Sequence, residues 1–192
     1  MSRDLIRERL AEAAGLLGEL SSLAAALEET AAALVACYRK GGKLLLCGNG
    51  GSAADAQHIA GELTGRFLRE RAALPAIALH ANSSTLTAIA NDYGVERVFS
   101  RQVEALGRPG DLLWALSTSG ASRNCIQAIA TASGKGLTTI AFVGGDGGEM
   151  KQLSDICVQV PSSSTPRVQE AHITLAHIVC ELVEAELAGP AS

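Results

Sequence analysis

Histidine, glutamate and glutamine recur in this chain at spacings that could bring several of them onto one ligand. His58 and Glu62 stand four residues apart in "SAADAQHIAGELTG", a stretch with helical patterning, so their side chains share one helical face. A solvated polar face is the ordinary meaning of such a pair, and a shared ligand is the other. Near the end of the chain, "RVQEAHITLAHI" offers Gln169, His172 and His177. At about 100° per residue, Gln169 and His177 differ by about 80° and can converge, whereas His172 and His177 lie about 140° apart. The two histidines therefore do not serve one ligand together, and spacing alone leaves either available.

A different chemistry is written in "STSGASRN", residues 117 to 124, where Ser117, Thr118, Ser119 and Ser122 crowd four hydroxyls around Gly120 just before a predicted helix. Backbone N–H groups at a helix start and neighbouring hydroxyls can converge on one anion, which describes a phosphomonoester cradle. One such residue would be read as a turn or N-cap residue. Four within six residues point to the anion. Upstream, "LLLCGNGGSAAD" passes from an apolar run into a glycine loop. Gly48, Gly50 and Ala53 satisfy the dinucleotide fingerprint G-x-G-x-x-G/A. The acidic residue expected about 20 positions on is missing, because the second apolar run ends in His80, Ala81 and Asn82. No P-loop lysine follows the glycines either, so nucleoside triphosphate chemistry has no anchor. What remains is a loop whose backbone can approach a ligand closely, with Asn49 and Ser52 offering side-chain hydrogen bonds.

The elements that must position these residues follow from patterning. Five short apolar runs, "KLLLC", "AIALH", "DLLWAL", "TTIAFV" and "ICVQV", alternate with helical patterns over 53 to 66, 85 to 91, 97 to 106, 121 to 133, 147 to 153 and 166 to 187. This alternation predicts an α/β fold, a parallel five-stranded sheet covered by helices on both faces. The first 40 residues, rich in Ala, Leu and Glu and free of proline, predict one long helix or two joined near Ser21-Ser22. The last helix is expected to start with Thr165 as N-cap and Pro166 in its first turn, and to run to Gly189-Pro190. In an open α/β sheet the ligand sits beyond the carboxyl ends of the strands, where the glycine and serine loops both fall.

At 192 residues the chain can bury a sizeable core, and one domain is the expectation. A net charge of -4 gives no broad cationic surface for nucleic acid or anionic membrane, which leaves small molecules and other subunits as partners. No run approaches the roughly 20 continuous apolar residues of a spanning helix, and "MSRDLIRERL" lacks a signal-peptide core, so a cytosolic location is expected. The five cysteines are odd in number and set in apolar surroundings, which suits reduced core thiols.

Taken together, "CGNGGSAADAQHIAGELTGRF", "NSSTLTAIANDYG", "STSGAS" and "RVQEAHITLAHI" resemble the phosphoheptose isomerases of the sugar isomerase (SIS) group, in consistent order over essentially the whole chain. The resemblance implies a flavodoxin-like three-layer α-β-α sandwich as a single SIS domain, with residues 1–40 serving oligomerisation and 41–192 forming the α/β core. It also implies a cytoplasmic homotetramer with active sites where subunits meet. By motif position it makes His58, Glu62, Gln169 and His177 the ligands of one zinc per subunit and leaves His172 without that role. Two imidazoles, a carboxylate and an amide oxygen form a plausible zinc shell. The same resemblance assigns substrate contacts to Asn49, Gly50, Gly51, Ser52, Glu62, Asn91, Asp92 and Gln169, and the phosphate to Ser117, Thr118, Ser119 and Ser122. Glu62 and His177 become the catalytic pair. The implied reaction is the conversion of sedoheptulose 7-phosphate to D-glycero-D-manno-heptose 7-phosphate through an enediolate, the first step toward nucleotide-activated heptose. One departure stands out, since Ala121 replaces the asparagine of the usual S-T-S-G-N-S loop. The rival expectation is a SIS-type protein that binds a sugar phosphate without transforming it, as a regulator or a replication-initiator-associating protein.

Overall fold

The computed structural model describes residues 2–188 of the chain. The N-terminal arm is two helices, α1 (Arg3–Glu19) and α2 (Ala24–Arg39), joined by a 3-10 turn at Leu20–Leu23 that contains Ser21 and Ser22. Beyond it, β1 (Leu44–Gly48), α3 (Gly51–Thr64), β2 (Ala76–Ala78) and α4 (Ser83–Tyr93) precede a short 3-10 turn and α5 (Ser100–Leu106). β3 (Leu112–Ser117), α6 (Arg123–Gly134), β4 (Thr138–Gly144), α7 (Gly148–Leu153), β5 (Ile156–Val160) and α8 (Thr165–Leu187) complete the order.

All strand pairs are parallel, and the sheet runs β2-β1-β3-β4-β5. The strands read as continuous apolar runs because both faces are covered. Leu44 and Leu46 enter the core shared with α2, α3 and α8, while Leu45 and Cys47 enter the opposite core under α5 and α6. Trp114, the single tryptophan, is fully buried on β3 and lies 4.6 Å, centroid to centroid, from Phe142 on β4. The strand order reverses between β1 and β3, so the loops after these two strands flank the point where an open sheet of this kind binds its ligand.

Two boundaries differ from the sequence reading, and a third falls outside the described residues. Ser164, with an extended backbone, is the N-cap of α8, and Thr165 is its first helical residue with Pro166 in the first turn. The expected end at Gly189-Pro190 lies outside the described residues. The helix expected from residue 97 begins at Ser100, because Gly94 (φ 87°) and a 3-10 turn at Val95–Arg97 occupy the preceding segment.

The arm is apolar without holding an uninterrupted apolar run of spanning length. By length and composition alone, the helical stretch Arg3–Arg39 is apolar enough to cross a membrane. Its apolarity comes from ten alanines and eight leucines. The inner face of α2, with Leu27, Ala31, Leu34 and Val35, is instead buried in the core shared with α8. The five cysteines are free thiols, and four of them are buried.

Candidate active site

The carboxyl end of β1 delivers the chain into Asn49 and Gly50, and Gly50 takes a positive φ of 56° as N-cap of α3. No side chain caps this helix, so its first N–H groups stay available to an anion. Gly51 opens α3 directly under Gln169: a Cβ on it would lie 2.8 Å from Gln169 Oε1 and 2.6 Å from Gln169 Cδ, so a larger residue would displace the glutamine amide. Gln169, on the first turns of α8, is thereby laid over the glycine loop. Ser52 is buried beneath it.

The loop after β3 is bound to itself. Ser117 Oγ and Ser122 Oγ are 2.8 Å apart, and Ser119 Oγ accepts from the Ala121 N–H at 3.3 Å. Ser122 sits at the N-cap position of α6 but makes no capping bond, because its hydroxyl is turned to Ser117. Gly120 has φ 64°, and a Cβ there would collide with the Gly147 backbone. Thr118 is half-buried, and Ser119 and Ala121 are exposed on the rim. The two loops are tied together by a reciprocal amide pair. Asn49 Nδ2 donates to Asn124 Oδ1 at 2.9 Å, and Asn124 Nδ2 donates to Asn49 Oδ1 at 2.8 Å.

Asn124 and His80 were not singled out in the sequence, yet both line the cleft of about 240 Å³ beside this junction, together with Gly48, Asn49, Gly50 and Thr87. Asn124 was legible only as the last letter of the serine loop. Burial pushes the His80 imidazole below its ordinary pKa.

A second cluster lies farther along α3. His58 Nε2 is 2.9 Å from Glu62 Oε1, and His177 Nε2, arriving from α8, is 3.2 Å from His58 Nε2. Three donor atoms thus lie within 4.8 Å of one another. Two imidazole nitrogens and a carboxylate oxygen aimed at one another are a natural donor set for a divalent cation. A tetrahedral zinc with ligands at about 2.0–2.1 Å would hold its donors about 3.3 Å apart, close to the His58–Glu62 and His58–His177 spacings. His172, by contrast, is fully buried on the sheet side of α8 near Phe142, and burial pushes its pKa down to about 4.

Asn91 and Asp92 are exposed at the end of α4, hydrogen-bonded to each other at 2.8 Å, and do not line the cleft within this chain. Two concavities larger than this cleft, about 500 and 390 Å³, are not at the chemistry either. They are apolar grooves along α1, α2 and α8, lined by residues such as Leu17, Leu27, Ile178 and Leu182. Volume is a poor guide here, because these grooves lack convergent polar groups.

Comparison with known proteins decides the family. The SIS domain family matches residues 10–144. The phosphoheptose isomerase of Rhodospirillum rubrum is 52% identical over 181 residues, covering 94% of this chain and 96% of that protein. The chain belongs to the phosphoheptose isomerase family. Among solved structures of that family, the Neisseria gonorrhoeae isomerase GmhA superposes with a TM-score of 0.91 at 41% identity, covering 95% of this chain and 98% of that one. A phosphoheptose isomerase from Francisella tularensis gives 0.93 at 36% identity, with 96% and 99% covered. As a phosphoheptose isomerase family member, the chain is an isomerase enzyme with the SIS α/β fold.

Proposed function

We propose that this isomerase converts sedoheptulose 7-phosphate to D-glycero-D-manno-heptose 7-phosphate, in the cytoplasm, as the first step toward nucleotide-activated heptose. The observation that carries the reading is the convergence of His58, Glu62 and His177 from two helices, in a chain of this family.

In the ketose, the proton to be removed sits on C1, next to the C2 carbonyl. Glu62 takes that proton, leaving an enediolate, and returns it to C2, while His177 moves a proton between the two oxygens so that C1 becomes the aldehyde. General acid–base steps of this kind typically contribute about 10²–10⁴-fold each. His58, Glu62, Gln169 and His177 are the proposed holders of one zinc per subunit, which supplies Lewis-acid stabilisation of oxyanion charge when bound. Ser117, Thr118, Ser119 and Ser122 hold the phosphate, with the uncapped N-terminus of α6 behind them. Asn49, Gly50, Gly51 and Ser52 contact the sugar. Binding energy at the non-reacting phosphate then positions C1 and C2.

The reading extends to assembly. Within a single SIS domain, residues 1–40 serve oligomerisation and residues 41–192 carry the chemistry. Helix α1 buries none of its residues in the single chain, leaving Leu5, Ile6, Leu10 and Leu17 exposed beside the apolar grooves. A surface of this kind is covered by other subunits, and a homotetramer with active sites at subunit contacts gives the exposed Asn91 and Asp92 a substrate to meet.

Turnover of sedoheptulose 7-phosphate followed by NMR, with zinc added or chelated, tests the reaction in wild type and Glu62→Gln. Product from the wild type and almost none from the variant is the expected result. Sugar phosphate that binds without product under every metal condition would overturn the reaction and favour a regulatory binding protein.

A further inference from the structure

Two helical turns beyond His177 on α8, Glu184 is 1% exposed, and no step of the proposed reaction uses it. A buried carboxylate is retained where it is paired and fully hydrogen-bonded, and this one is. Its Oε1 accepts from the Phe67 N–H at 2.9 Å, and its Oε2 accepts from the Leu68 N–H at 2.6 Å and the Arg69 N–H at 2.7 Å. Arg71 Nε lies 3.2 Å from Oε1, with both side chains 2% exposed. The same guanidinium donates to the carbonyl of Glu62 at 2.8 Å and to that of Leu63 at 2.9 Å, closing the end of α3. Burial would raise the Glu184 pKa, but the amides of Leu68, Phe67 and Arg69, with the Arg71 charge, outweigh it and hold the carboxyl below its ordinary value.

The loop held in this way is not remote from the site. The Phe67 ring stacks on the His177 imidazole, with centroids 5.4 Å apart and planes inclined by 27°. His177 in turn presents its Nε2 to His58. A continuous path of contacts therefore runs from the Glu184 carboxylate through the Phe67 amide and ring to the histidine on the same helix.

We propose that Glu184, locked by Arg71, is a positioning residue of the isomerase that sets the orientation of the His177 ring by fixing Phe67 against it. The proposal rests on the reading of His177 as a reacting group. Without the Phe67 ring against it, the imidazole loses its stacking contact and is free to change rotamer. Positioning groups of this kind act on turnover more than on substrate capture.

The test uses the full chain labelled with 15N-histidine and stripped of metal by chelation, so that the ring resonances are read independently of activity. With four histidines in the chain, each ring can be assigned. Phe67→Leu leaves the carboxylate and its cradle in place. It is expected to shift the ring resonances of His177 and of His58 in contact with it, leave those of His80 and His172 in place, and lower kcat roughly tenfold or more at little change in KM. Phe67→Tyr restores both. Glu184→Gln, which turns an NH2 group toward N–H donors, is expected to move the same His177 resonances and also to lower the melting temperature. If it does not fold, Phe67→Leu decides. An unshifted His177 ring in Phe67→Leu overturns the proposal, as does a shifted ring with unchanged kcat in an enzyme that His177→Asn inactivates. Unchanged turnover in His177→Asn itself would overturn the reading of His177 as a reacting group and, with it, this proposal.

Discussion

The loops at the ends of β1 and β3 and the cluster on α3 and α8, proposed above to serve one substrate, are constructed by opposite means. The loops are made of backbone and short hydroxyls drawn from residues 48–52 and 117–122, and their hydrogen bonds run largely among themselves. The cluster is made of long side chains 119 positions apart in the chain, His58 and His177, and exists only because α3 and α8 pack on the same face of the sheet. A site written in one local segment tolerates little change of backbone. A site assembled from distant helices depends on the packing that aligns them.

The largest effect expected from breaking this comparison is on the cluster. Glu62→Gln should cost about 10²–10⁴-fold in turnover, with a melting temperature close to that of the wild type, because the side chain is partly exposed and bonds only His58. Thermal unfolding run beside the NMR assay checks both halves.

The next prediction sharpens the contrast between the two histidines of α8. His172 titrates at about 4 in the fold because it is buried, against an ordinary 6.5. Below pH 6.5 the unfolded chain binds a proton that the folded one refuses, so this stability is present above pH 6.5 and lost as the pH falls toward 4. Between pH 7 and pH 5 the loss should be about 2 kcal/mol, and His172→Leu should remove that slope. Denaturant unfolding at the two pH values decides it.

A smaller effect is expected in the serine loop. Gly120→Ala places a Cβ at a positive φ and against the Gly147 backbone, which should cost about 1–3 kcal/mol of stability and raise KM. The smallest change, Ser119→Ala, removes an exposed hydroxyl whose only bond among the described residues is to the Ala121 amide. Stability should move by less than about 0.5 kcal/mol, while kcat/KM falls about tenfold, as for one hydrogen bond to a charged group. A loss of stability larger than the loss of kcat/KM would show the loop to be structural.

The same division explains how much could be read in the sequence. Every strand and helix was legible from apolar periodicity to within a few residues, because each is a local pattern bounded by glycine, serine or proline. The glycine and serine loops were legible for the same reason. Spacing alone could not choose between His172 and His177, since that depends on which face of α8 meets the sheet and which meets α3. Nor could it find Asn124 opposite Asn49, or Arg71 and Glu184, 113 positions apart in the chain. Polar groups that meet only after folding leave no mark on periodicity. Asn91 and Asp92 show the complementary limit, since within one chain they meet only each other.

Trp114 gives the molecule a built-in optical probe. The indole is fully buried against Phe142, on a strand that ends at Ser117, the first residue of the serine loop. With one tryptophan and two tyrosines in the chain, its emission reports on a single place. Folded protein should emit at short wavelength, and a red shift should accompany loss of the sheet core. Opening of α1 alone should leave the signal untouched, so fluorescence and helical circular dichroism followed together would separate fraying of α1 from unfolding of the isomerase itself.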